Sequence, residues 1–484
     1  MHDAHDRLHP FTRRRFLTEG GNFLGGAALA SMIGADSLRA ADRPTATFPH
    51  HAAKAKNVIF LHMVGGPPQM DLFDYKPRMV DYFNVELPES VRMGQRLTTM
   101  TSGQDRLPIA PAKFEFSRRG KNGIWVSELL PWTAKIVDEL CFVRSMHTDA
   151  INHEPGITMM QTGSQTDGRP CLGSWASYGL GSLNRNLPTF VVLVTQWTSM
   201  VMAQPLSAKL WHAGCLPGEN AGVSFRSIGD SIPYVNNPPG VPSEVRRVTL
   251  DGLNAFNAIT ERRTGDPETQ TRIRQYEMAF RMQASVPELT DLSKEPAAIS
   301  QLYGEAVRKP GTFANAALMA RRLVERGVRF VQIYHNGWDL HQNLNRYLPD
   351  QCRDIDRPCF GLIQDLKQRG LLDDTLVIWG GEFGRTIYSQ GSLNQTNSGY
   401  GRDHHSRCFT MWMAGGGTRP GQVYGETDDF SYNVVKDPVH VRDFHATVLH
   451  LLGFDHERFS VRHQGLEQRL TGVERARVVR ELLA

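Results

Sequence analysis

Carboxylates and imidazoles recur in this chain at the ends of short apolar runs. Asp339-Leu340-His341 follows one such run, Glu382 follows another, and Asp403-His404-His405 precedes a third. Oxygen and nitrogen donors of these types bind Zn²⁺, Mn²⁺ and similar divalent ions. An isolated Asp-x-His pair is more often a capped turn, so it is the joint placement of these groups that points to a metal site. Arg385 stands just past Glu382 and adds a cation to the same turn.

These groups need elements that bring them together. Thr375–Trp379 is short, rich in β-branched and aromatic side chains, and bounded by Asp373-Asp374 before and Gly380-Gly381 after. Such a run reads as a buried strand of a parallel sheet. The same reading gives strands over residues 57–64, 140–146, 189–195, 328–334 and 408–414. Helices are expected over 157–161, 268–284, 311–326, 350–369 and 441–452. Charged faces place the helices at 268–284 and 311–326 on the surface. Ligands of open α/β sheets bind at the carboxyl ends of the strands, so these ends are expected to converge on one pocket. Residues 75–130 read as surface loops, and the Pro- and Gly-rich stretch 197–260 as an insertion or cap. His62, inside an apolar run, reads as a core histidine. His440 and His445, flanking the last helix, read as capping or surface residues.

The chain has 484 residues, 40% of them hydrophobic and 21% charged, which is ordinary for a globular protein. Its formal charge is only +4, with no basic block beyond Arg13–Arg15, which argues against a nucleic-acid-binding face. Thr12-Arg13-Arg14-Arg15-Phe16-Leu17, followed by a Gly/Ala-rich run to Ile33 and by Ala40-Ala41, has the form of a twin-arginine export signal. Residues 1–40 are therefore expected to direct the protein to the periplasm or beyond, with a membrane contact only through an uncleaved signal. Residues 41–484 are expected to form one domain. The six cysteines form no C-x-x-C pair and read as packing residues. No Walker or Rossmann glycine pattern and no Gly-x-Ser-x-Gly elbow is present.

Several segments together resemble a known family. Asn57–Asp74 with its Gly-Gly-Pro-Pro turn, Asn152-His153-Glu154-Pro155, Gly337–Asn343, Gly381–Arg385, Gly401–His404 and Ala446–Gly453 look like the exported bacterial family called domain of unknown function 1501. The similarity covers essentially the whole mature chain. That family is placed with the alkaline phosphatase and sulfatase superfamily, whose members hydrolyse phosphate or sulfate esters at one- or two-metal sites. The resemblance implies a three-layer α/β/α sandwich with a large, mostly parallel sheet.

Carried over residue by residue, it also exposes departures. The metal-binding Asp that ends the first strand in sulfatase-like enzymes is Gly65 here, with Asp71 the nearest substitute. His153 falls where sulfatases carry their Cys or Ser nucleophile. Gly381-Glu382-Phe383-Gly384 stands where a Ser-Asp-His-Gly segment is expected, keeping one carboxylate and losing one histidine. The resemblance thus implies a divalent ion (zinc, manganese, calcium or similar) held by Asp71, His153, Asp339, His341, Glu382 and one of His404 and His405. Arg385 would pair with an anionic ester and Asn152 with a substrate oxygen. Without a side-chain nucleophile at 153, water activated by the ion is the expected attacking group. The substrate would be an anionic ester, with sulfated or phosphorylated carbohydrates among the candidates. The competing reading is a non-catalytic binding protein that kept the fold after losing the nucleophile.

Overall fold

The structure, a computed structural model, describes residues 48–199, 201–226, 237, 240–391, 393 and 399–484. The export segment expected over residues 1–40 lies outside them. Contacts separate Met1–Phe48 from a unit spanning Pro49–Ala484, which carries every element named below.

Eleven strands and five helices matter to the site. The strands are β1 (Asn57–Met63), β2 (Cys141–His147), β3 (Phe190–Thr195), β4 (Val223–Phe225), β5 (Phe330–His335), β6 (Thr375–Gly380), β7 (Gly384–Gln390), β8 (Gly401–His405), β9 (Phe409–Ala414), β10 (Val423–Tyr424) and β11 (Val439–His440). The helices are α1 (His153–Thr162), α2 (Leu172–Leu180), α3 (Phe313–Glu325), α4 (Leu344–Gln368) and α5 (Val441–Leu451). A nine-stranded sheet runs in the order β10-β2-β9-β6-β1-β5-β3-β4, with β11 also paired to β2. All its pairings are parallel except those of β9, which runs antiparallel to β2 and β6. β7 and β8 form a separate antiparallel pair beside the carboxyl edge.

Strand alternation sorts the core into two faces. Ile59, Leu61 and Met63 of β1, with Val331, Ile333, Val377 and Trp379, join the cluster that packs against α3 and α4. Phe60 and His62 point the other way: Phe60 lies 6.4 Å from the Phe444 ring of α5, and His62 meets Gln161 of α1. The result is the expected three-layer α/β/α sandwich, its central β1, β5 and β6 buried on both faces as parallel strands require. Among the described residues no helix is long and apolar enough to cross a membrane.

Two sequence expectations need correction. The helix at 311–326 is not a surface element. Phe313, Ala317, Leu318, Ala320 and Leu323 are buried, and its charges meet partners inside the protein: Arg321 donates to Asp365, Glu295 and Glu325, each at 2.8 Å. A charged face and a buried face look alike in sequence when the charges are internally paired. The stretch 197–260 is not turns alone, because Ser243–Thr264 is a helix that packs against Pro267–Thr290. All six cysteines are free thiols, so the sheet is not cross-linked.

The strand ends meet through a glycine turn after β1. Gly65 has φ +118°, and a Cβ there would stand 2.4 Å from the Asp339 backbone nitrogen and 2.7 Å from the Trp338 carbonyl carbon. Only glycine lets the segment after β5 close onto β1. Gly65→Ala is therefore expected to cost about 2–4 kcal/mol by combining backbone strain with a main-chain clash. A thermal or denaturant unfolding midpoint equal to that of the native protein would refute this reading of the turn.

Candidate metal centre

His153, Asp339, His341 and His404 each offer one ligand atom, and these atoms all lie within 4.8 Å of one another. They arrive from three places. His153 opens α1, Asp339 and His341 lie on the segment after β5, and His404 lies on β8. Asp339 Oδ1 is the common point, 3.0 Å from His153 Nε2, 2.8 Å from His341 Nε2 and 3.4 Å from His404 Nε2.

The other nitrogen of each ring fixes what the inward one presents. His404 Nδ1 lies 2.8 Å from the Ile151 carbonyl, His341 Nδ1 meets the Gln390 side-chain oxygen, and His153 Nδ1 lies 2.6 Å from Glu382 Oε1. Each of these partners accepts, so each Nδ1 carries the proton and each neutral Nε2 presents a lone pair. His341 Nε2 and His404 Nε2 then face each other at 3.0 Å with no proton between them. His153 Nε2 is buried and lacks an aligned hydrogen bond in spite of its nearness to Asp339. Three bare imidazole nitrogens and a carboxylate oxygen repel one another unless a cation joins them. The donor set and the orphaned nitrogen therefore fit a divalent ion.

Behind His153 the protons run in one consistent direction. Gln161 Nε2 donates to His62 Nδ1 at 3.1 Å, so His62 Nε2 donates to Glu382 Oε2 at 3.3 Å. Glu382 Oε1 accepts from the Gly65 backbone N–H at 2.9 Å as well as from His153. Burial would raise Glu382, but the hydrogen bonds from His153 and His62 outweigh it and keep the group ionised well below the usual range. Burial would likewise raise Asp339, yet the Arg385 guanidinium and the three histidines hold it far below. Burial lowers His404 to about 4. His153 goes the other way: burial would lower it, and the Asp339 and Glu382 carboxylates outweigh burial and raise it.

Other residues singled out in the sequence lie outside the cluster. Glu382 orients His153 in place of joining the ligand atoms. Asp71 is fully buried in a two-point ion pair with Arg402, at 2.7 and 3.0 Å, and Arg402 also donates to three backbone carbonyls. His405 points to the opposite side of β8 from His404, as strand alternation requires, and bonds the Tyr432 carbonyl at 2.5 Å. Arg385 is buried and occupied: it donates to Asp339 Oδ1 at 2.5 Å and to the Gly65, Gly66 and Arg402 carbonyls. It is not free to take a substrate anion. Asn152 is exposed at the start of α1, and its side chain makes no capping bond.

Sequence reasoning missed the outer partners. Gln390 and the Ile151 carbonyl carry no signal in a linear sequence. His62 is buried, as read, but it also belongs to the hydrogen-bond chain. Phe383 packs 4.9 Å from the rings of both His153 and His404, so it walls the site from within. The cluster meets solvent on the side of Asp339 and His341, whose side chains are 14% and 18% exposed.

Over residues 55–483 the sequence matches the family described as a protein of unknown function, DUF1501. No curated protein matches it. Among solved structures it is similar to the lipoteichoic acid synthase of Listeria monocytogenes (TM-score 0.35, 11% identity, covering 89% of this chain and 78% of that one). It is also similar to the PsFucS1 sulfatase of Pseudoalteromonas sp. (TM-score 0.32, 14% identity, 84% and 68% covered). A third is a protein in the alkaline phosphatase superfamily from Vibrio parahaemolyticus (TM-score 0.34, 10% identity, 86% and 72% covered).

The geometry separates ligands from supports. In a calorimetric Zn²⁺ titration, His341→Ala and His404→Ala should abolish the tight site. Asp71→Asn should keep the stoichiometry while losing about 3 kcal/mol or more of stability, because Arg402 is left as an unpaired buried charge. Since His153 is raised above its ordinary value of 6.5, its proton competes with the ion below that raised value. Affinity should therefore fall as pH drops from about 7.5 to 5.5. A flat pH profile, or Asp71→Asn losing the ion, would overturn the assignment.

Proposed function

This chain belongs to the DUF1501 family, whose description assigns no activity, and from its site we propose that it is an exported metal-dependent hydrolase of anionic esters, of the sulfatase or phosphatase kind. The observation that carries the proposal is the convergence of three imidazole nitrogens, each oriented through its other nitrogen, on the Asp339 carboxylate. Three nitrogens and one oxygen suit Zn²⁺ or Mn²⁺ and disfavour Ca²⁺, which takes six to eight oxygen ligands.

Such an ion supplies Lewis acidity and brings water into the range of deprotonation at neutral pH. The chain's own part is to hold and shield. His153 fills the position where sulfatases carry a nucleophile, and its Nε2 points into the cluster, which supports attack by water over a covalent ester on the enzyme. Phe383 and the buried turn of Gly65 and Gly66 exclude solvent from behind, leaving the Asp339–His341 side for the ester. Arg385 keeps Asp339 ionised, which preserves a charged ligand at every physiological pH. A catalytically silent binding protein is the second reading, favoured by the absence of a hydroxyl or thiol among the four cluster residues.

Purified protein is expected to carry a stoichiometric transition ion and to hydrolyse members of a panel of aryl sulfates, phosphate monoesters and phosphodiesters. Chelation should remove turnover and Zn²⁺ or Mn²⁺ restore it, and His404→Ala should lower kcat/KM by at least about a hundredfold. Bound metal with no turnover of any ester would favour the silent reading. Export is proposed through the twin-arginine segment. Replacing Arg13 and Arg14 together by Lys should retain the protein in the cytoplasm, and unchanged export in cell fractionation would refute that route.

A further inference from the structure

Arg385, the cation expected to meet an anion, is buried and engaged, and so is the neighbouring Arg402, so other cations have to be sought beside the cluster. A cavity of about 300 Å³ adjoins it, lined in part by Arg96, Thr98, Ile151, Asn152, Ser406 and Arg407. Its walls are continuous with the metal centre. Ile151 accepts the His404 Nδ1 hydrogen bond, Asn152 precedes His153, and Ser406 follows His405.

Two arginines of this cavity have donors to spare. Arg96 is exposed and has no hydrogen bond or ion pair among the described residues. Arg407 uses Nη1 on the Arg92 carbonyl at 3.3 Å and the Asn433 side chain at 3.0 Å, leaving Nε and Nη2 without a partner among the described residues. The segment bearing Arg96 is fastened to the strand bearing His404. Thr98 and Thr101 hydroxyls both donate to Asp403 Oδ2 at 2.5 Å. The one carboxylate of the wall, Asp149, already faces Arg442 at 3.0 Å and His440 at 3.3 Å, so the cavity keeps a positive balance. Arginine forks of this kind match tetrahedral oxyanions.

The position of the cavity decides which anion it takes. His404 points Nε2 at the cluster and Nδ1 at Ile151, so the cavity wall lies on the far side of that imidazole from the ion. An oxyanion held there is separated from the reacting ester by at least the width of the ring. We infer that Arg96 and Arg407 form a second oxyanion subsite, so that the substrate is a polyanion bearing at least two sulfate or phosphate groups, one at the metal and one here. This inference rests on the hydrolase reading for the first group, while the cavity and its arginines stand independently of turnover.

The test is equilibrium binding to Zn²⁺-loaded protein, with turnover read separately. The probes are a disaccharide in singly and doubly sulfated forms, and glucose 1-phosphate against glucose 1,6-bisphosphate. At least one member bearing two anionic groups should bind about tenfold or more tighter than its partner bearing one, and the pair that shows this names the oxyanion. In Arg96→Gln/Arg407→Gln that ratio should fall to about one with metal content unchanged. Should the double variant lose metal or fold, Arg96→Gln alone, at an exposed side chain, should still reduce the ratio several-fold. Equal affinities within both native pairs, or a ratio that survives the substitutions, would overturn the subsite. Absence of turnover with the ratio intact would overturn only the hydrolase reading.

Discussion

The Asp339 carboxylate, held between Arg385 and three imidazoles, is the interaction on which the rest of the site depends. A buried carboxylate is stable as an anion only with close positive or hydrogen-bonding partners. Arg385 supplies the permanent charge at 2.5 Å and simultaneously ties down the Gly65 and Gly66 carbonyls of the turn after β1. One guanidinium thus fixes the ends of β1 and β5 relative to β7. With Asp339 and Glu382 ionised against Arg385, the immediate surroundings hold one excess negative charge. A divalent ion converts that excess to a single positive one, which is a favourable environment for an incoming anion.

The outer hydrogen bonds are as specific as the ligands. An imidazole can present either nitrogen, and the protein settles the choice three times with three different acceptors: a carboxylate, an amide oxygen and a backbone carbonyl. The run from Gln161 through His62 and Glu382 to His153 crosses from α1 to β1 to the turn after β6 and back. Its members are buried, so none can take water as a substitute partner. The same low-dielectric surroundings that make such a network costly to break make it effective at fixing ring orientation. Asp71 and Arg402 form a neighbouring closed pair whose charges cancel, which leaves the cluster's own charge balance untouched.

Much of the fold was readable before any coordinates. The five long parallel strands of the sheet, the reversed β9 and the last helix all sit where apolar runs and turn residues place them. Asp339, His341 and the 404–405 pair were legible as donors only through their joint placement beside the ends of buried strands, since each pair alone reads as an ordinary capped turn. Glu382 and Asp71 were legible as important and illegible in role. A carboxylate that binds an ion, one that orients a ligand and one that neutralises an arginine are the same residue type in sequence. The burial of the helix at 313–325 was hidden for a similar reason, since Arg321 reads as solvent-facing until Asp365 and Glu295 are found beside it.

By itself the sequence determined the family, the strand-ending donor set and the periodicity that separates the two faces of the sheet. These depend on residues near one another in the chain, where spacing alone fixes geometry. Only the tertiary structure decided which donors come within reach of one another, which of His404 and His405 turns inward, and that Arg385 is a structural clamp while Arg96 and Arg407 keep donors to spare. Those outcomes depend on contacts between segments from 46 to 320 residues apart, and direction and distance across such gaps follow from packing, which no local pattern encodes.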